Sequence, residues 1–376
     1  MTAFHLKFFS KRGLNPGTLS DNHFSHRVND FIHNGYEVEV YGFKREGEPL
    51  PQDVPYTPTV LAEIKSSNYY ARIWTYFVCL WKLSKIIKRS DICFYSSLDI
   101  ALFANRFIKN AYIFELCDLT HLNLKGAMRA ILHSECIKAI NNSLLTLFTS
   151  EGFYDCFDNI KREKIILVPN KLNPSIPPFS IINRKLFHEG KIRIGYVGAV
   201  RYETIYNFVK VCAEKFTDSV EFHIFGVFAA HDKYAILTKE LCGKYDNIIY
   251  HGRFQNPNDL PLIYSKIDLS IATYTPTLVN VKYAEPNKLY EAIYFRCPIV
   301  VSDKVFLGKK VSQLNVGYAI NAMDLDTIKS FIDNLNEEEY QEKIINVSQI
   351  EQSECILNMS KVFDYIEEVI NNKIIA

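Results

Sequence analysis

The sequence contains no Cys-x-x-Cys pair, although it has nine cysteines. Their number is odd and most lie inside apolar runs, such as residues 91–95, so they do not form the pattern of a disulfide framework. We therefore expect buried free thiols and a reducing compartment. The histidines His5, His23, His26 and His33 do not have the spacing from cysteines or carboxylates that metal ligands show, so no metal site is predicted.

The sequence also lacks a charge bias and a long hydrophobic run. Its 43 basic and 42 acidic residues nearly cancel, so no overall field would recruit nucleic acid. No uncharged segment approaches the roughly 18 residues of a membrane span. The first residues, MTAFHLKFFSKRG, lack an apolar run followed by a small-residue cleavage site. We expect a cytoplasmic protein whose contact with the inner face of a membrane is at most peripheral.

What the sequence does have is length for two domains, at 376 residues, and a globular composition that is 48% hydrophobic. Short strand-like runs alternate with longer helical stretches, which is typical of parallel βα units and predicts an α/β fold. The predicted strands are residues 5–9, 37–41, 91–96, 111–115, 144–149 and 164–168, followed by 191–198, 221–226, 248–252, 268–272 and 298–302.

The pattern dissolves at residues 171–190, where several prolines and the absence of a clear period predict a linker. This boundary gives a Rossmann-like N-terminal domain at 1–170 and a Rossmann-like C-terminal domain at 191–355. In one interpretation, a C-terminal helix at about 356–376 packs back on the first domain. Two such domains would place a ligand-binding cleft at the carboxyl ends of their strands.

The most informative segment, residues 285–302, reads EPNKLYEAIYFRCPIVVS. With Pro286 in the first turn of a helix, the backbone amides of Asn287, Lys288 and Leu289 would be free to bind a phosphate. Lys288 adds a positive charge, and Glu291 lies three residues further on the same side, where its carboxylate can accept from two ribose hydroxyls. The simpler interpretation is a solvated helix face with one ion pair.

A second segment, residues 194–201, leads from a strand into a glycine turn that ends in a cation. Gly198 permits close approach of a backbone, and Arg201 can grip a diphosphate with two parallel hydrogen bonds. Neither segment matches Gly-x-Gly-x-x-Gly, and no acidic residue ends the next strand as a dinucleotide-binding enzyme would require.

Together the two segments resemble the donor site of retaining glycosyltransferases of family 4 and their relatives with the GT-B fold, in which two Rossmann-like domains face each other across a cleft. The resemblance implies that Glu291 holds the ribose and that the backbone near Arg253 and Phe254 meets the base. The chain departs from the family at Tyr283, where a second Glu is usual, and Glu285 lies near that position but out of register. The family's usual Lys after Arg201 is also absent.

The resemblance also implies a catalytic His or Asp at the end of a strand in the first domain. The matching stretch is residues 112–121, which contains three candidates: Glu115, Asp118 and His121. The residues alone do not choose among them.

These features predict metal-independent transfer of a sugar, of hexosyl or related type, from a UDP or GDP donor to a glycan or lipid-linked saccharide. No cofactor beyond this donor is expected, and the resemblance implies retention of configuration and a role in capsule, lipopolysaccharide or other surface-glycan assembly. Two alternatives stay open. One is a noncatalytic relative that serves as a subunit of a transferase complex, and the other is a sugar-nucleotide epimerase of the same fold, which would need several acid and base groups in the cleft.

The stretch at residues 69–89, YYARIWTYFVCLWKLSKIIKR, is aromatic and apolar and carries basic residues. It is consistent with a helix lying on an anionic membrane surface. The favoured interpretation is a helix packed on the sheet of the first domain, because Trp74, Phe77, Val78, Trp81 and residues 83–87 also suit burial.

Overall fold

The structure is a computed structural model that describes residues 5–10, 23–45, 54–64, 69–96, 98–179 and 182–375. The chain divides into two compact units. Unit 1 consists of residues 1–168 and 358–376, and unit 2 consists of residues 169–357.

Unit 1 is built on a parallel sheet of seven strands in the order β3-β2-β1-β4-β5-β6-β7. The strands are β1 (His5–Ser10), β2 (Glu37–Arg45), β3 (Pro58–Ile64), β4 (Ile92–Tyr95), β5 (Ala111–Leu116), β6 (Leu145–Phe148) and β7 (Ile165–Leu167). The inner strands are nearly continuous apolar runs, as expected of strands covered on both faces. Cys93, Phe94 and Tyr95 in β4 are fully buried.

The helices of unit 1 connect these strands, and the last one comes from the end of the chain. They are α1 (His23–His33), α2 (Tyr69–Ile86), α3 (Leu98–Phe103), α4 (Gly126–Asn142) and, after unit 2, α13 (Ser360–Ile375). The ring of Phe363 in α13 packs edge to face on Phe31 in α1, at 5.1 Å between centroids. The C-terminal helix thus belongs to the core of unit 1.

Unit 2 has a parallel sheet of six strands in the order β10-β9-β8-β11-β12-β13. The strands are β8 (Ile192–Val200), β9 (Val220–Phe228), β10 (Ile248–Gly252), β11 (Leu269–Ala272), β12 (Ile299–Ser302) and β13 (Gly317–Ile320). The helices are α5 (Glu203–Lys215), α6 (Lys233–Lys244), α7 (Leu260–Ser265), α8 (Val279–Tyr283), α9 (Asn287–Tyr294), α10 (Phe306–Leu314), α11 (Leu325–Asn334) and α12 (Glu337–Gln349).

A hydrophobic core covers each face of the second sheet. One core packs Val197, Phe225 and Val301 against helices that include α9, through residues such as Leu289. The other packs the opposite face, through residues such as Ile194, against α5 and α11. The α/β architecture predicted from the sequence is therefore confirmed in both halves of the chain.

The segment at 171–190 is part of unit 2 rather than a free connection. Leu172 and Leu186 are buried in its cores, and Leu172 pairs with Ile356 in a short parallel bridge. The guanidinium of Arg184 is buried and donates to the carbonyls of Tyr264 (2.7 Å) and Phe295 (2.9 Å). The prolines make this segment irregular, but its apolar side chains and Arg184 still fasten it to the unit.

Every predicted strand is present, and two strands that the sequence pattern missed, β3 and β13, are edge strands. Their short or proline-initiated sequences carry little of the apolar run that marks an inner strand.

Gly226 in β9 lies where two parallel strands come unusually close. Gly198 in β8 is its register partner, and a Cβ atom placed on Gly226 would lie 1.9 Å from the carbonyl oxygen of Gly198. The φ angle of Gly226 is +141°, which side chains rarely adopt. Only glycine fits there without moving β8.

We therefore expect Gly226→Ala to lower the free energy of unfolding by more than about 2 kcal/mol, because backbone must move to relieve the clash. The matched control is Gly243→Ala in α6, where a Cβ atom would meet nothing within 4 Å. That change should leave stability unchanged or raise it by about 0.5–1 kcal/mol. Urea unfolding of both variants provides the measurement, and equal midpoints would contradict the close approach of the two strands.

Candidate functional site

The order of strands in the second sheet reverses between β8 and β11. Loops that leave neighbouring parallel strands in opposite directions at such a point create a crevice beyond the carboxyl ends of the strands. Gly198 lies within β8, two residues before its end, and not in a turn after the strand as predicted. The cation Arg201 follows β8 directly, and the chain that leaves β11 leads to α8 and α9. Both segments singled out from the sequence therefore lie at this edge.

Helix α9 begins at Asn287, and Pro286 immediately precedes it in an extended conformation with φ −75° and ψ 154°. Pro286 is thus the residue that caps the helix, not a member of its first turn as predicted. The Leu289 amide donates to the Pro286 carbonyl at 3.3 Å, so it is not free for a phosphate. Among the described residues, the amides of Asn287 and Lys288 have no backbone acceptor.

The Glu291 carboxylate is fully buried in α9 and is surrounded by donors. The Lys288 ammonium lies 2.8 Å from both of its oxygens, and the Asn287 amide donates to Oε1 at 2.8 Å. The hydroxyl of Tyr264, at the end of α7, donates to Oε2 at 2.9 Å. Burial, followed by the charge of Glu291, raises the pKa of Tyr264 well above its usual value, so this hydroxyl stays protonated.

Lys288 is buried except for 9% of its surface and lies beside Gly198 in β8. A Cβ atom placed on Gly198 would be 3.8 Å from Cε of Lys288, and the φ angle of Gly198 is +145°. Two of the three N–H bonds of the ammonium point to Glu291. The simpler interpretation of a solvated ion pair is wrong, because both charges are withdrawn from water.

Arg201 is exposed, directly after β8. Its guanidinium lies 4.9 Å from the centre of the Tyr202 ring, and that ring packs edge to face on Tyr274 at 5.2 Å. Tyr274 is fixed in turn by Ser302, whose hydroxyl accepts from the Tyr274 amide at 3.0 Å and donates to its carbonyl at 2.8 Å. The Arg201 guanidinium therefore lies against Tyr202, a ring that Tyr274 and Ser302 hold in place at the edge of the sheet.

Glu285 was a candidate for contact with the donor, and the structure gives it internal partners. Its carboxylate is fully buried, forms an ion pair with Lys310 at 2.5 Å and accepts from the Tyr290 hydroxyl. The Asn170 amide donates to its backbone carbonyl at 3.2 Å. These contacts join the start of α9 to α10.

Arg253 and Phe254, the two residues predicted to lie near the nucleotide base, follow β10. Arg253 is exposed there, and Phe254 is half-buried against the core beneath α9. Just before them, the His251 ring stacks on Phe225 at 4.2 Å with an angle of 4° between the planes. Flat aromatic surface is therefore present next to the two predicted residues.

The three catalytic candidates lie at or just after the end of β5 in unit 1. Glu115 is fully buried and pairs with the buried Arg27 at 2.7 Å. Asp118 is half-buried in the following loop.

His121 is almost fully buried in a short turn of 3₁₀ helix. Its Nε2 lies 3.3 Å from Nδ1 of His133 in α4, and the His133 ring stacks on Phe157 at 5.1 Å. Burial, and then the neighbouring His133, lower the pKa of His121 to about 4, so its ring is neutral near pH 7. Nδ1 of His121 is buried and has no hydrogen-bond partner among the described residues.

No protein-family model and no curated protein sequence matches the chain. Solved structures do. Sucrose-phosphate synthase from Thermosynechococcus elongatus aligns over 99% of each chain, with a TM-score of 0.68 and 11% identity. HepE from Anabaena, in complex with UDP and glucose, aligns over 97% of this chain and 99% of its own, with a TM-score of 0.66 and 11% identity. WaaG, a glycosyltransferase of lipopolysaccharide biosynthesis, aligns over 91% and 94%, with a TM-score of 0.61 and 13% identity.

This chain has the GT-B fold. At these low identities the likeness establishes the fold alone, so activity has to be argued from the side chains.

Sequence reasoning missed several partners in this GT-B chain. Tyr264 and Lys310 hold the two buried carboxylates of the segment at residues 285–302, and Arg27 and His133 hold two candidates in unit 1. Tyr264, Lys310 and Arg27 lie 25 or more residues from the carboxylates that they contact, and no local pattern in the sequence pairs them. His133 lies only 12 residues after His121.

The eight cysteines whose environments are described are free thiols. In the part of the GT-B chain that the structure describes, no helix is long and apolar enough to cross a lipid bilayer.

The lowered pKa of His121 makes a prediction about stability. Because the folded pKa of about 4 lies below the ordinary value of 6.5, protonation favours the unfolded chain. The penalty is absent above about pH 7 and grows as the pH falls towards 4. At about pH 5 the wild type should lose about 2 kcal/mol through this residue.

His121→Phe keeps a ring in the stack but removes the titration, so its free energy of unfolding should fall less than that of wild type between about pH 7.5 and pH 5. His33→Phe, at the exposed end of α1, is the matched control and should follow the wild type. Urea unfolding at the two pH values gives the comparison. Parallel losses for wild type and His121→Phe would show that His121 titrates normally.

Proposed function

We propose that this chain is a glycosyltransferase that moves a sugar from a nucleoside diphosphate donor to an acceptor hydroxyl. One observation carries the proposal: the buried Glu291 carboxylate and the Lys288 ammonium lie together at the start of α9, beside Gly198 in β8. Removing a charged pair from water costs desolvation free energy. Such a pair at the crevice edge of a parallel sheet suits recognition of a polar, anionic ligand.

In this proposal Glu291 binds the ribose. A carboxylate has about four lone-pair sites, and Lys288, Asn287 and Tyr264 occupy them. Ribose hydroxyls would therefore replace existing donors. Asn287 is the partner most easily displaced, because its side chain is half-buried whereas the Tyr264 hydroxyl is inside the core.

Lys288 and Arg201 bind the diphosphate. The Lys288 ammonium keeps one N–H bond that does not point to Glu291, and the Asn287 and Lys288 amides supply further donors. Negative charge grows on the diphosphate as the glycosidic bond breaks, so cations fixed at this position stabilise the transition state more than the bound donor. This arrangement supports a reaction that needs no divalent metal ion, with no cofactor other than a UDP or GDP sugar.

On the acceptor side we assign roles to Asp118 and His121. A histidine that is neutral near pH 7 can accept a proton or a hydrogen bond from a hydroxyl. The buried ion pair with Arg27 supports a structural role for Glu115, which fixes the end of β5. We further assign Arg253 and Phe254 to the base, and treat Glu285 as a residue that orients the start of α9 through Lys310.

The finer assignment is retaining transfer of a hexosyl or related sugar to a glycan or lipid-linked saccharide, in surface-glycan assembly at the inner face of a membrane. Two similar structures support it. HepE is described in complex with UDP and glucose, and WaaG acts in lipopolysaccharide biosynthesis.

The proposal is tested by turnover of a panel of UDP and GDP sugars in the presence of EDTA, with the anomer of the product determined. Release of nucleoside diphosphate in EDTA is the expected result. Activity that requires added manganese or magnesium would overturn the metal-free mechanism. Donor binding without turnover would favour the noncatalytic subunit of a transferase complex instead.

Replacing Glu291 tests the ribose contact. Glu291→Ala should weaken binding of UDP or GDP by about 1.5–3 kcal/mol, the range for hydrogen bonds to charged groups. Isothermal calorimetry measures the change, and Glu338→Ala, on an exposed position of α12, is the control that should bind normally. Circular dichroism must show a folded variant, since Glu291 also has structural partners. Wild-type affinity in a folded Glu291→Ala protein would remove Glu291 from the site.

Replacing the two cations tests the diphosphate contact. Lys288→Ala should lower kcat by on the order of 10²-fold, as for loss of one preorganised donor. Arg201→Lys keeps the charge but loses the planar fork, so it should also lower kcat more than it weakens donor binding.

Lys239→Ala, on the exposed face of α6, is the matched control for loss of a lysine and should leave kcat unchanged. If both site variants fold and turn over at the wild-type rate, the diphosphate binds elsewhere.

A further inference from the structure

Helix α2 of unit 1 carries three large aromatic side chains on its outer surface. Trp74, Phe77 and Trp81 are 71%, 60% and 62% exposed. They follow one another at spacings of three and four residues and therefore form one stripe along the helix. We call these three residues the aromatic face of α2.

The opposite side of α2 fixes the helix to the sheet. Leu80 and Leu83 are buried, and Ile87, just after the helix, is buried as well. The Lys82 ammonium donates to the Leu61 carbonyl in β3 at 2.7 Å. The helix thus already has an apolar side for the core, and the aromatic face is a second apolar side that points to solvent. Of the two interpretations of this stretch, burial of Trp74, Phe77 and Trp81 is wrong.

The charged side chains of α2 and of the residues just after it have one sign. The sequence has no Asp or Glu between residues 69 and 90. Lys82, Lys85, Lys88 and Arg89 are exposed at the C-terminal end of the helix and just beyond it. The Lys85 ammonium lies 6.0 Å from the centre of the Trp81 ring. The first acidic residue that follows, Asp91, is neutralised by Lys7 at 2.8 Å.

An adjoining turn adds to the apolar surface. Residues Ala104–Ile108 form one turn of π-helix that packs against α2, and Phe107 within it is 71% exposed. Solvent-facing aromatic groups are therefore not confined to a single helix in this part of unit 1. Contiguous exposed apolar groups edged by basic residues mark an interaction surface rather than ordinary exposed side chains.

We propose that the aromatic face of α2 docks on the interface of an anionic lipid bilayer, with the helix parallel to the membrane plane. Tryptophan is well suited to that depth because its ring is amphipathic, and lysines beside it meet anionic headgroups. A second copy of the chain fits less well, because pairing the same face would bring the lysines of both copies together. The inference concerns a surface outside the donor site and does not rest on the proposed transfer.

The sequence provides an internal probe for this surface. The protein has two tryptophans, and both, Trp74 and Trp81, belong to the aromatic face. Tryptophan emission of the wild-type protein therefore reports on this surface alone. Vesicles of phosphatidylethanolamine with phosphatidylglycerol should shift the emission to the blue and protect it from quenching by iodide. Vesicles of phosphatidylcholine should do so much less.

Co-sedimentation with the same vesicles separates the apolar and electrostatic contributions. Trp74→Ala and Trp81→Ala should each weaken partitioning by roughly tenfold or more, the value of burying one large apolar side chain. Lys85→Glu with Lys88→Glu should weaken it by at least about tenfold and reduce its dependence on salt. The matched control is Ile236→Ala with Lys239→Glu, at exposed positions of α6, which should partition as the wild type does.

Three outcomes would overturn the inference. The first is tryptophan emission and iodide quenching that do not respond to the anionic vesicles. The second is co-sedimentation that survives loss of both tryptophans, since another surface would then bind lipid. The third is protection of the tryptophans without lipid that increases with protein concentration, which would identify a second copy as the occupant. Donor binding by calorimetry is measured separately on each variant, so failure here and failure of the proposed transfer are distinguishable.

Discussion

The buried carboxylate of Glu291 is the group on which the arrangement at the start of α9 depends. Removing a charge from water costs several kcal/mol unless partners replace the lost hydration, and Lys288, Asn287 and Tyr264 together do so. Those partners bring the first turn of α9 and the end of α7 to fixed positions. The same cost explains why Lys288 is held beside Gly198 instead of extending into solvent, because without its ammonium the buried Glu291 carboxylate would keep only the neutral donors Asn287 and Tyr264. Glu291 and Lys288 therefore hold the start of α9 in place and are also the residues to which the proposal assigns ligand binding.

Gly198 in β8 and Gly226 in β9 lie near the same crevice, on the side of the strands. Gly226 allows β9 to approach the backbone of Gly198, and Gly198 leaves space beside the Lys288 side chain. A Cβ atom at Gly226 would lie 1.9 Å from the carbonyl oxygen of Gly198, whereas a side chain at Gly198 would be strained by the φ angle of +145°. At the point where the strand order reverses, the crevice has two glycines on its β8–β9 side, Gly198 and Gly226. On its α9 side it has the Glu291 carboxylate, all of whose lone-pair sites accept hydrogen bonds.

Much of the fold could be predicted from the sequence, because inner strands of a parallel sheet must be apolar on both faces and therefore stand out as short runs, as in β4 and β12. Strands β3 and β13 were missed although the edge strands β7 and β10 were found, because β3 begins at a proline and β13 at a glycine, which weakens the apolar run. Residues 171–190 were predicted as a linker because proline disrupts periodicity, but burial of Leu172 and Leu186 depends on partners far along the chain. Of the candidate site, Lys288 and Glu291 were visible as an i, i+3 pair. Tyr264 and Lys310 were not, because nothing local in a sequence shows which distant helix will meet a buried carboxylate.

The aromatic residues also show that local sequence does not reveal which side chains are buried. Many of them are buried in unit 1, among them Phe31, Phe94 and Phe114. Trp74, Phe77 and Trp81 have the same apolar character and helical spacing, yet they face outward. Hydrophobicity alone does not distinguish the two groups, because a helix with apolar residues on both sides can bury only the one that meets its sheet. The exposed group is accompanied by local charge, because α2 and the residues just after it carry basic side chains and no acidic ones. An exposed apolar face edged by one sign of charge is therefore better explained by an anionic surface outside the protein than by incomplete packing within it.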